Sequence, residues 1–222
     1  MSLAILQTAQ AVATRWRSSY ILGFLLALTL AFAPRAEAGF IGYYDIGNWM
    51  QLNTLLDGTP YPAGNGMAST PDSGSTVLVV GSNSGDGGTA SKFDFLITAP
   101  TSGTVMFTYT YTSLDTILPC SPGPCDQGAF IVNGVFVGPV LGTSDSQVTT
   151  PTTLSFSVNA GDVFGFEVDS ADNSGEPGNL NLSNFSAPAP LSVPEPGTAG
   201  MLTLALAGSL GTWRRLKHRP KN

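Results

Sequence analysis

The stretch GTVMFTYTYTS, residues 103–113, is the part of the sequence that most directly decides the fold class. Side chains on a β-strand point alternately to its two faces, and aromatic and β-branched residues favour strands. Threonines and one methionine separate the members of an apolar series: Val105, Phe107, Tyr109 and Tyr111. The alternation predicts a strand that buries an aromatic face against a second sheet and turns a hydroxylated face outward. An aromatic ligand platform is the alternative use of the same face.

Other runs of the same kind lie on both sides of this stretch, at residues 75–82, 92–98, 129–138, 153–168 and 180–186. In AFIVNGVFVG (129–138), Asn133-Gly134 predicts a two-residue turn between the arms of a hairpin. The Asn-Ala-Gly-Asp sequence at 159–162 predicts a second turn of this kind. Seven or more short strands without an amphipathic helix predict an all-β domain at residues 39–186, an antiparallel, jelly-roll-like β-sandwich.

The N-terminus has the pattern of a secretory signal. Arg15 and Arg17 precede an apolar run at residues 20–33, and Ala36-Glu37-Ala38 fits an A-x-A cleavage site. The run is shorter than the ~20 residues of a membrane span. We therefore predict a signal peptide at residues 1–38 that is removed after Ala38. An uncleaved anchor is the alternative.

The charge of the exported part limits its partners. Between residues 39 and 193, Lys92 is the only basic residue and there are thirteen acids, which gives a net charge of 1 − 13 = −12. Nucleic acid binding depends on Lys and Arg neutralising phosphates, so this domain is not expected to bind nucleic acid.

The residue types of the domain also argue against catalysis, and we predict that it is not an enzyme. The only histidine, His218, lies in the C-terminal tail, so the domain has no Ser-His pair and lacks the commonest general base. Acids such as Asp162 and Glu167 could in principle hydrolyse glycosides, but their separation cannot be read from the sequence.

Two cysteines and one acidic loop are candidate structural or binding elements. Cys120 and Cys125 in CSPGPC predict a disulfide in an oxidising compartment, with a zinc site or two reduced thiols as alternatives. The loop DSADNSGEPGN (169–179) is rich in the oxygen ligands that calcium prefers, although it does not match an EF-hand. A solvated turn is its alternative reading; otherwise no cofactor is expected. The candidate calcium ligands are Asp169, Asp172, Asn173 and Glu176.

The chain ends in three distinct segments. Residues 187–193 form a Pro-rich linker, and residues 197–213 are apolar or small over 17 positions, enough for a short transmembrane helix. The positive-inside rule places the basic cluster that follows in the cytoplasm and the β-domain on the other side. The cluster contains Arg214, Arg215, Lys217 and Arg219.

Immediately before the apolar segment lies Pro194-Glu195-Pro196. With the helix and the basic end, the tail at residues 194–222 resembles the PEP-CTERM sorting signal of Gram-negative bacteria. The resemblance implies that an exosortase, an integral-membrane cysteine transpeptidase, recognises Pro194, Glu195 and Pro196 and cuts nearby. It also implies that the substrate accompanies exopolysaccharide production. A plain tail anchor is the alternative.

We therefore expect a non-enzymatic exported protein of the cell surface or extracellular matrix, associated with exopolysaccharide or biofilm. It would reside in the inner membrane before processing and in the cell envelope or matrix afterwards. The alternative is a carbohydrate-binding module, lectin-like and calcium-dependent.

Overall fold

The computed structural model describes residues 36–85, 87–113, 126–143, 148–173 and 175–191. These residues contain short 3-10 turns and no α-helix, and none of their helices is long and apolar enough to cross a membrane. The strands are β1 Ala36–Ala38, β2 Met50–Leu55, β3 Met67–Ser69, β4 Thr76–Val80, β5 Ser91–Thr98, β6 Gly103–Thr112, β7 Asp126–Val132, β8 Val135–Phe136, β9 Gly142–Thr143, β10 Thr152–Val158, β11 Val163–Ser170 and β12 Asn179–Pro188.

The chain divides into two compact units, Met1–Pro190 and Leu191–Asn222. All the described strands belong to the first unit. Of the second unit, only Leu191 is among the described residues. The predicted transmembrane helix at 197–213 therefore lies outside the described part of the chain.

The strands form two antiparallel sheets. Sheet A has the order β10-β6-β12-β4-β3, with β1 also paired to β12. Sheet B has the order β2-β5-β11-β7-β8, with β9 also paired to β7. This confirms the prediction of an all-β domain made of two antiparallel sheets.

The core lies between the sheets and is mainly aromatic. Phe107 of sheet A meets Phe166 of sheet B with ring centroids 4.8 Å apart in an edge arrangement. Trp49, in the turn before β2, stacks on Phe95 at 4.3 Å. The four apolar side chains of the alternating stretch are all buried, so its aromatic face is core as predicted: Val105, Phe107, Tyr109 and Tyr111.

The predicted Asn133-Gly134 hairpin is confirmed. It joins β7 to β8, and its two residues have φ values of 53° and 72°, as a type I′ turn requires. The Asn133 side chain also accepts from the Val163 amide at 2.9 Å, which fixes the turn to the start of β11.

The prediction of a second hairpin at residues 159–162 was wrong in its strand pairing. The turn is present, but β10 pairs with β6 in sheet A and β11 pairs with β5 and β7 in sheet B. Both flanking strands have apolar inner faces, and placing them in opposite sheets buries both faces in one core. Phe156 of β10 accordingly packs against the core cluster that contains Phe164 of β11.

Several strands were not predicted, and one of them falls at the expected signal cleavage site. Strand β1 pairs antiparallel with the end of β12, with Ala36 opposite Pro188 and Ala38 opposite Ser186. The rest of the predicted signal peptide lies outside the described residues. Gly39, the predicted first residue of the mature chain, donates its amide to the Phe185 carbonyl at 2.7 Å.

Side chains close one open edge between the sheets. The Asn53 side chain on β2 donates to the Gly66 carbonyl at 3.0 Å and accepts from the Gly66 amide at 2.8 Å, as a neighbouring strand would. Gln51 accepts from the Ala68 amide of β3 at 3.0 Å. These bonds satisfy backbone groups that an edge strand otherwise exposes.

Candidate functional site

The outward side of strands β10, β6 and β12 in sheet A is a mainly polar surface, which we call the hydroxyl face; on the adjacent strand β4 the outward side chains, Leu78 and Val80, are apolar. It arises because the inward positions of β6, β10 and β12 are apolar and the positions between them carry short hydroxyl or amide side chains. Strand register brings these side chains into rows, such as Thr153, Thr108 and Ser183 on three adjacent strands. The hydroxyl face consists of Thr104, Thr108, Thr110, Thr153, Ser155, Ser157, Asn181 and Ser183.

The hydroxyl face is accessible and makes few bonds to itself. Thr104, Ser155 and Asn181 are among its exposed members, and its other members are at most half-buried. Thr108 and Thr153 share one hydrogen bond of 2.8 Å across the strands. Serine, threonine and asparagine side chains can each donate and accept. The face therefore offers both kinds of hydrogen-bonding group to a partner.

No ionisable side chain belongs to the hydroxyl face, although the surrounding domain is strongly acidic. Its large apolar neighbours include Met106 of β6, which is 42% exposed, and the half-buried Leu78 of β4, which pairs with Asn181. A partner that docks on this face is not required to bring compensating charge, and an anionic polymer would be repelled by the carboxylates elsewhere on the domain. The electrostatics favour a neutral partner.

The outward side of sheet B carries a charged cluster, consisting of Lys92, Asp94, Glu167 and Asp169. Strand pairing sets Asp94 opposite Glu167 and Lys92 opposite Asp169. The Lys92 ammonium donates to Glu167 Oε2 at 2.7 Å and lies 3.6 Å from Asp94 Oδ2. Three carboxyl groups thus surround a single cation.

Burial and crowding change the ionisation of the charged cluster. Burial and the neighbouring Glu167 raise the pKa of Asp94 to about 7, against the lowering effect of Lys92. Burial and the charge of Glu167 raise the pKa of Asp169 to about 8. Burial pulls the pKa of Lys92 down, but its hydrogen bond and charge attraction to Glu167 outweigh this and raise it.

The charged cluster is largely covered and is suited to holding a proton. Asp94 is only 6% exposed. Oδ1 of Asp94 and Oδ1 of Asp169 are buried and have no hydrogen-bond partner among the described residues. Protonating a carboxyl in such a group removes a buried charge and supplies a donor, which lowers the cost of burial.

The predicted calcium ligands have different surroundings in the structure. Asp169 belongs to the charged cluster on β11, whereas Glu176 is exposed in the following loop. Asn173 is fully buried at a φ of 51°, and its side chain bonds to Ser91 and to the Thr89 carbonyl. Asp172 accepts the Gly88 amide at its backbone carbonyl. Among the described residues, no group of His, Cys, Asp or Glu has an arrangement that could hold a metal ion.

The two acids considered for glycoside hydrolysis lie far apart. Asp162 is in the turn before β11, where the Asn133 side chain and the Asn159 backbone and side chain donate to its carboxylate. These bonds, that of Asn133 first, lower its pKa. Glu167 is five positions further along the strand, roughly 16 Å at the rise of a β-strand. Paired glycosidase carboxyl groups are ~5–9.5 Å apart.

The remaining predicted site residues lie outside the described part of the chain. They are the sorting residues, the basic tail and the predicted disulfide: Pro194, Glu195, Pro196, Arg214, Arg215, Lys217, Arg219, Cys120 and Cys125.

Neither the charged cluster nor the hydroxyl face was identified as a site from the sequence. A signal for the cluster exists, because charged and apolar residues alternate in both SKFDFLIT and VFGFEVDS. The alternation reveals that these charges share the outward side of their strands, but not that the two strands are neighbours. For the hydroxyl face, the outward polarity of one strand was predicted but its continuation across β10 and β12 was not.

The described residues define an antiparallel β-sandwich with an uncharged polar area on the outward side of sheet A and a partly buried charged cluster on the outward side of sheet B. No protein-family model and no curated protein matches the sequence. Structural similarity to solved proteins is weak, and at TM-scores below 0.5 it carries no argument about function.

Three of the similar solved structures illustrate this level of likeness. A family 35 carbohydrate-binding module from Clostridium thermocellum has a TM-score of 0.31 and 14% identity over 68% of this chain and 96% of the module. A carbohydrate-binding module of Cellvibrio mixtus lichenase 5A, in complex with cellotriose, has a TM-score of 0.27 and 16% identity over 63% and 96%. The secreted serine protease VesC of Vibrio cholerae has a TM-score of 0.34 and 17% identity over 57% of this chain but only 24% of the protease.

Proposed function

We propose that this protein is a non-enzymatic, glycan-binding component of the cell surface or extracellular matrix, and that the β-sandwich binds neutral polysaccharide. The single observation that carries the proposal is the hydroxyl face, an exposed and uncharged array of hydroxyl and amide groups on a domain that is otherwise acidic. We also propose that the strands of the β-sandwich are connected in the jelly-roll-like order expected from the sequence.

Hydrogen bonding is the physical basis for glycan recognition in this proposal. Sugar hydroxyl groups donate and accept, and so do the Thr, Ser and Asn side chains of the hydroxyl face. Neutral glycans bring no charge that the face would have to compensate. Nucleic acids and anionic polysaccharides are disfavoured because the exported part carries a charge of 1 − 13 = −12.

The absence of catalysis is also part of the proposal. It is supported by the ~16 Å along the strand between Asp162 and Glu167 and by the engagement of Asp162 in its turn. In the charged cluster, Asp94 lies directly opposite Glu167, and Lys92 binds both. In this arrangement the carboxyl groups of Asp94 and Glu167 share one cation, whereas glycoside hydrolysis needs an acid and a base on opposite sides of the scissile bond.

Export and sorting complete the proposal and rest on the sequence. The signal pattern at residues 1–38 and the tail at 194–222 support insertion in the inner membrane, recognition of Pro194-Glu195-Pro196 by an exosortase, and release to the envelope or matrix. Calcium binding by the loop at 169–179 stays a separate proposal. A calcium-dependent lectin would need that site, whereas binding through the hydroxyl face would not require calcium.

Mass spectrometry of the intact native protein tests the sorting part. We expect the released fraction to begin at Gly39 and to end near residues 194–197, with any surplus mass reporting a conjugated group. The cell-attached fraction serves as the comparison. A native protein that is found only in the cell-attached fraction and still contains His218 would contradict sorting and indicate a permanent tail anchor.

Replacing Asn181 with glutamate tests the binding face. Asn181 is exposed on β12, where it pairs with Thr110 of β6, so the substitution places a carboxylate on the hydroxyl face without changing an inward position of the strand. Burying an unpaired charge against a neutral glycan is expected to weaken retention of the full-length protein on the cells' own polysaccharide at least ~10-fold.

Thr98→Glu is the matched control for this measurement. Thr98 is exposed at the end of β5 on sheet B, so the control has the same charge change on the opposite side of the sandwich. We expect it to bind like the wild type, with and without a calcium chelator. Equal retention of the Asn181→Glu variant, with unchanged melting temperature, would contradict the proposed face.

A further inference from the structure

We infer that the hydroxyl face binds the broad surface of a neutral, insoluble polysaccharide rather than a single soluble oligosaccharide; the inference rests on the proposed function. The face consists of short side chains on three adjacent strands; Met106 lies among them between Thr104 and Thr108, and the half-buried Leu78 of β4 borders the face at Asn181. The twist between neighbouring strands, about 20° each, curves this surface but does not enclose a ligand.

The chemistry of the face differs from that of an oligosaccharide pocket. Sites for small ligands are concave and predominantly apolar, with aromatic side chains and a few convergent polar groups. The hydroxyl face reverses this composition, because the aromatic residues of β6 are directed into the core. Phe107 and Tyr111 are fully buried and Tyr109 is 7% exposed. A lone sugar chain on this face would find hydrogen-bonding groups but no aromatic surface to pack on.

The rows of the hydroxyl face suit a partner with repeating groups. Neighbouring strands are ~4.8 Å apart and residues on one side of a strand repeat every ~6.7 Å. One row joins Thr153, Thr108 and Ser183, and the next along β6 pairs Thr110 with Asn181. Each contact is weak because water competes for both partners, so useful affinity requires many contacts at once. An insoluble polymer supplies them over the whole face.

Size and charge select this partner over a second copy of the protein. The three strands cover roughly 14 Å by 24 Å, on the order of 350 Å². A stable protein–protein interface buries ~800 Å² on each partner, usually around an apolar centre. Two copies would in addition bring two strongly acidic domains together. A neutral polymer surface needs no large apolar interface and brings no second set of acidic groups.

Competition binding with the full-length protein tests the inference. The probes are the insoluble polysaccharide of the producing cells, microcrystalline cellulose and chitin, with hexasaccharides of the last two as soluble competitors. We expect retention on at least one insoluble polymer, with the matching hexasaccharide or soluble fragments of the cells' polymer at least ~100-fold weaker at equal sugar concentration. Asn181→Glu is expected to lose this retention and Thr98→Glu to keep it.

The outcomes distinguish the inference from the function on which it rests. Full competition by soluble fragments would overturn the inference and leave glycan binding intact. Retention on none of the polymers, or equal retention of Asn181→Glu, would overturn both. A concentration-dependent dimer of the wild type that Asn181→Glu abolishes would assign the face to self-association and overturn the inference.

Discussion

Replacing Lys92 with methionine is expected to lower the free energy of unfolding by about 2–4 kcal/mol, between the ~1 kcal/mol of an exposed ion pair and the ~3–5 kcal/mol of a buried one, because the pair with Glu167 is partly buried. Methionine is close in length and leaves the aliphatic packing in place. The substitution removes the only cation among three carboxyl groups, and the side chains of Lys92 and Glu167 are only 21% and 15% exposed. Solvent therefore replaces the lost interaction poorly.

Urea or thermal unfolding of the full-length protein measures this effect, with Lys92→Arg as the control. Arginine keeps the charge and is expected to retain most of the stability. If the ion pair behaved as an exposed surface pair, either substitution would lower the free energy of unfolding by at most ~1 kcal/mol. Adding Glu167→Gln to Lys92→Met is expected to recover part of the loss, because it removes an uncompensated carboxylate. Equal losses in the methionine and arginine variants would assign the effect to packing and contradict the electrostatic account.

Stability is expected to fall as the pH rises from about 4 to about 8. In this interval Asp94 and Asp169 keep protons in the folded state, where their pKa values are about 7 and about 8, but lose them in the unfolded state near 3.8. The folded state binds more protons than the unfolded state, so the free energy of unfolding decreases with increasing pH. The pKa of Lys92 is raised from 10.5, so its own contribution is constant over this interval.

The size of this pH effect follows from the shift of Asp94, which is about three pKa units from 3.8 to about 7. The full shift corresponds to on the order of 4 kcal/mol, and about two thirds of it, roughly 2–3 kcal/mol, falls between pH 5 and pH 8.5, because the unfolded carboxyl is already mostly ionised at pH 5. We therefore expect a melting temperature ~5–10 °C higher at pH 5 than at pH 8.5. Carboxyl groups with lowered pKa values, such as Asp162, act in the opposite direction and only near or below pH 4.

Melting curves of two asparagine variants across pH 5–9 provide the test. Asp94→Asn mimics the neutral carboxyl, so we expect a flatter pH dependence and a more stable protein at pH 8.5. Asp162→Asn alters an exposed turn and is expected to keep the wild-type slope between pH 5 and 8.5. An unchanged slope in Asp94→Asn would show that the proton is held elsewhere.

Local sequence patterns predicted much of the fold. The strand at residues 103–113 and the Asn133-Gly134 hairpin were found because a two-residue period and a turn that needs positive φ are properties of a few consecutive residues. The pairing of β10 and β11 was wrong because a turn sequence does not specify whether the chain stays in its sheet or crosses to the other. That choice depends on which arrangement buries both aromatic faces.

The candidate sites were less predictable than the strands. Asp172 and Asn173 were considered as calcium ligands because their oxygen atoms are visible in the sequence. The structure uses Asn173 instead to join its loop to Ser91, 82 residues away. The loop pattern also predicts Asp169 as a calcium ligand, but Asp169 lies on β11 and belongs to the charged cluster.

Local sequence patterns specify the all-β class, the inward side of the main strands and the hairpin turn, and composition specifies the acidity of residues 39–193. Each of these depends on composition or on neighbours within about ten residues. Long-range packing brings Lys92 to Glu167, 75 residues further along the chain, and joins three outward strand sides into one hydroxyl face. Strand order and register bring such residues together, and both are set by burial of the whole aromatic core rather than by any local pattern.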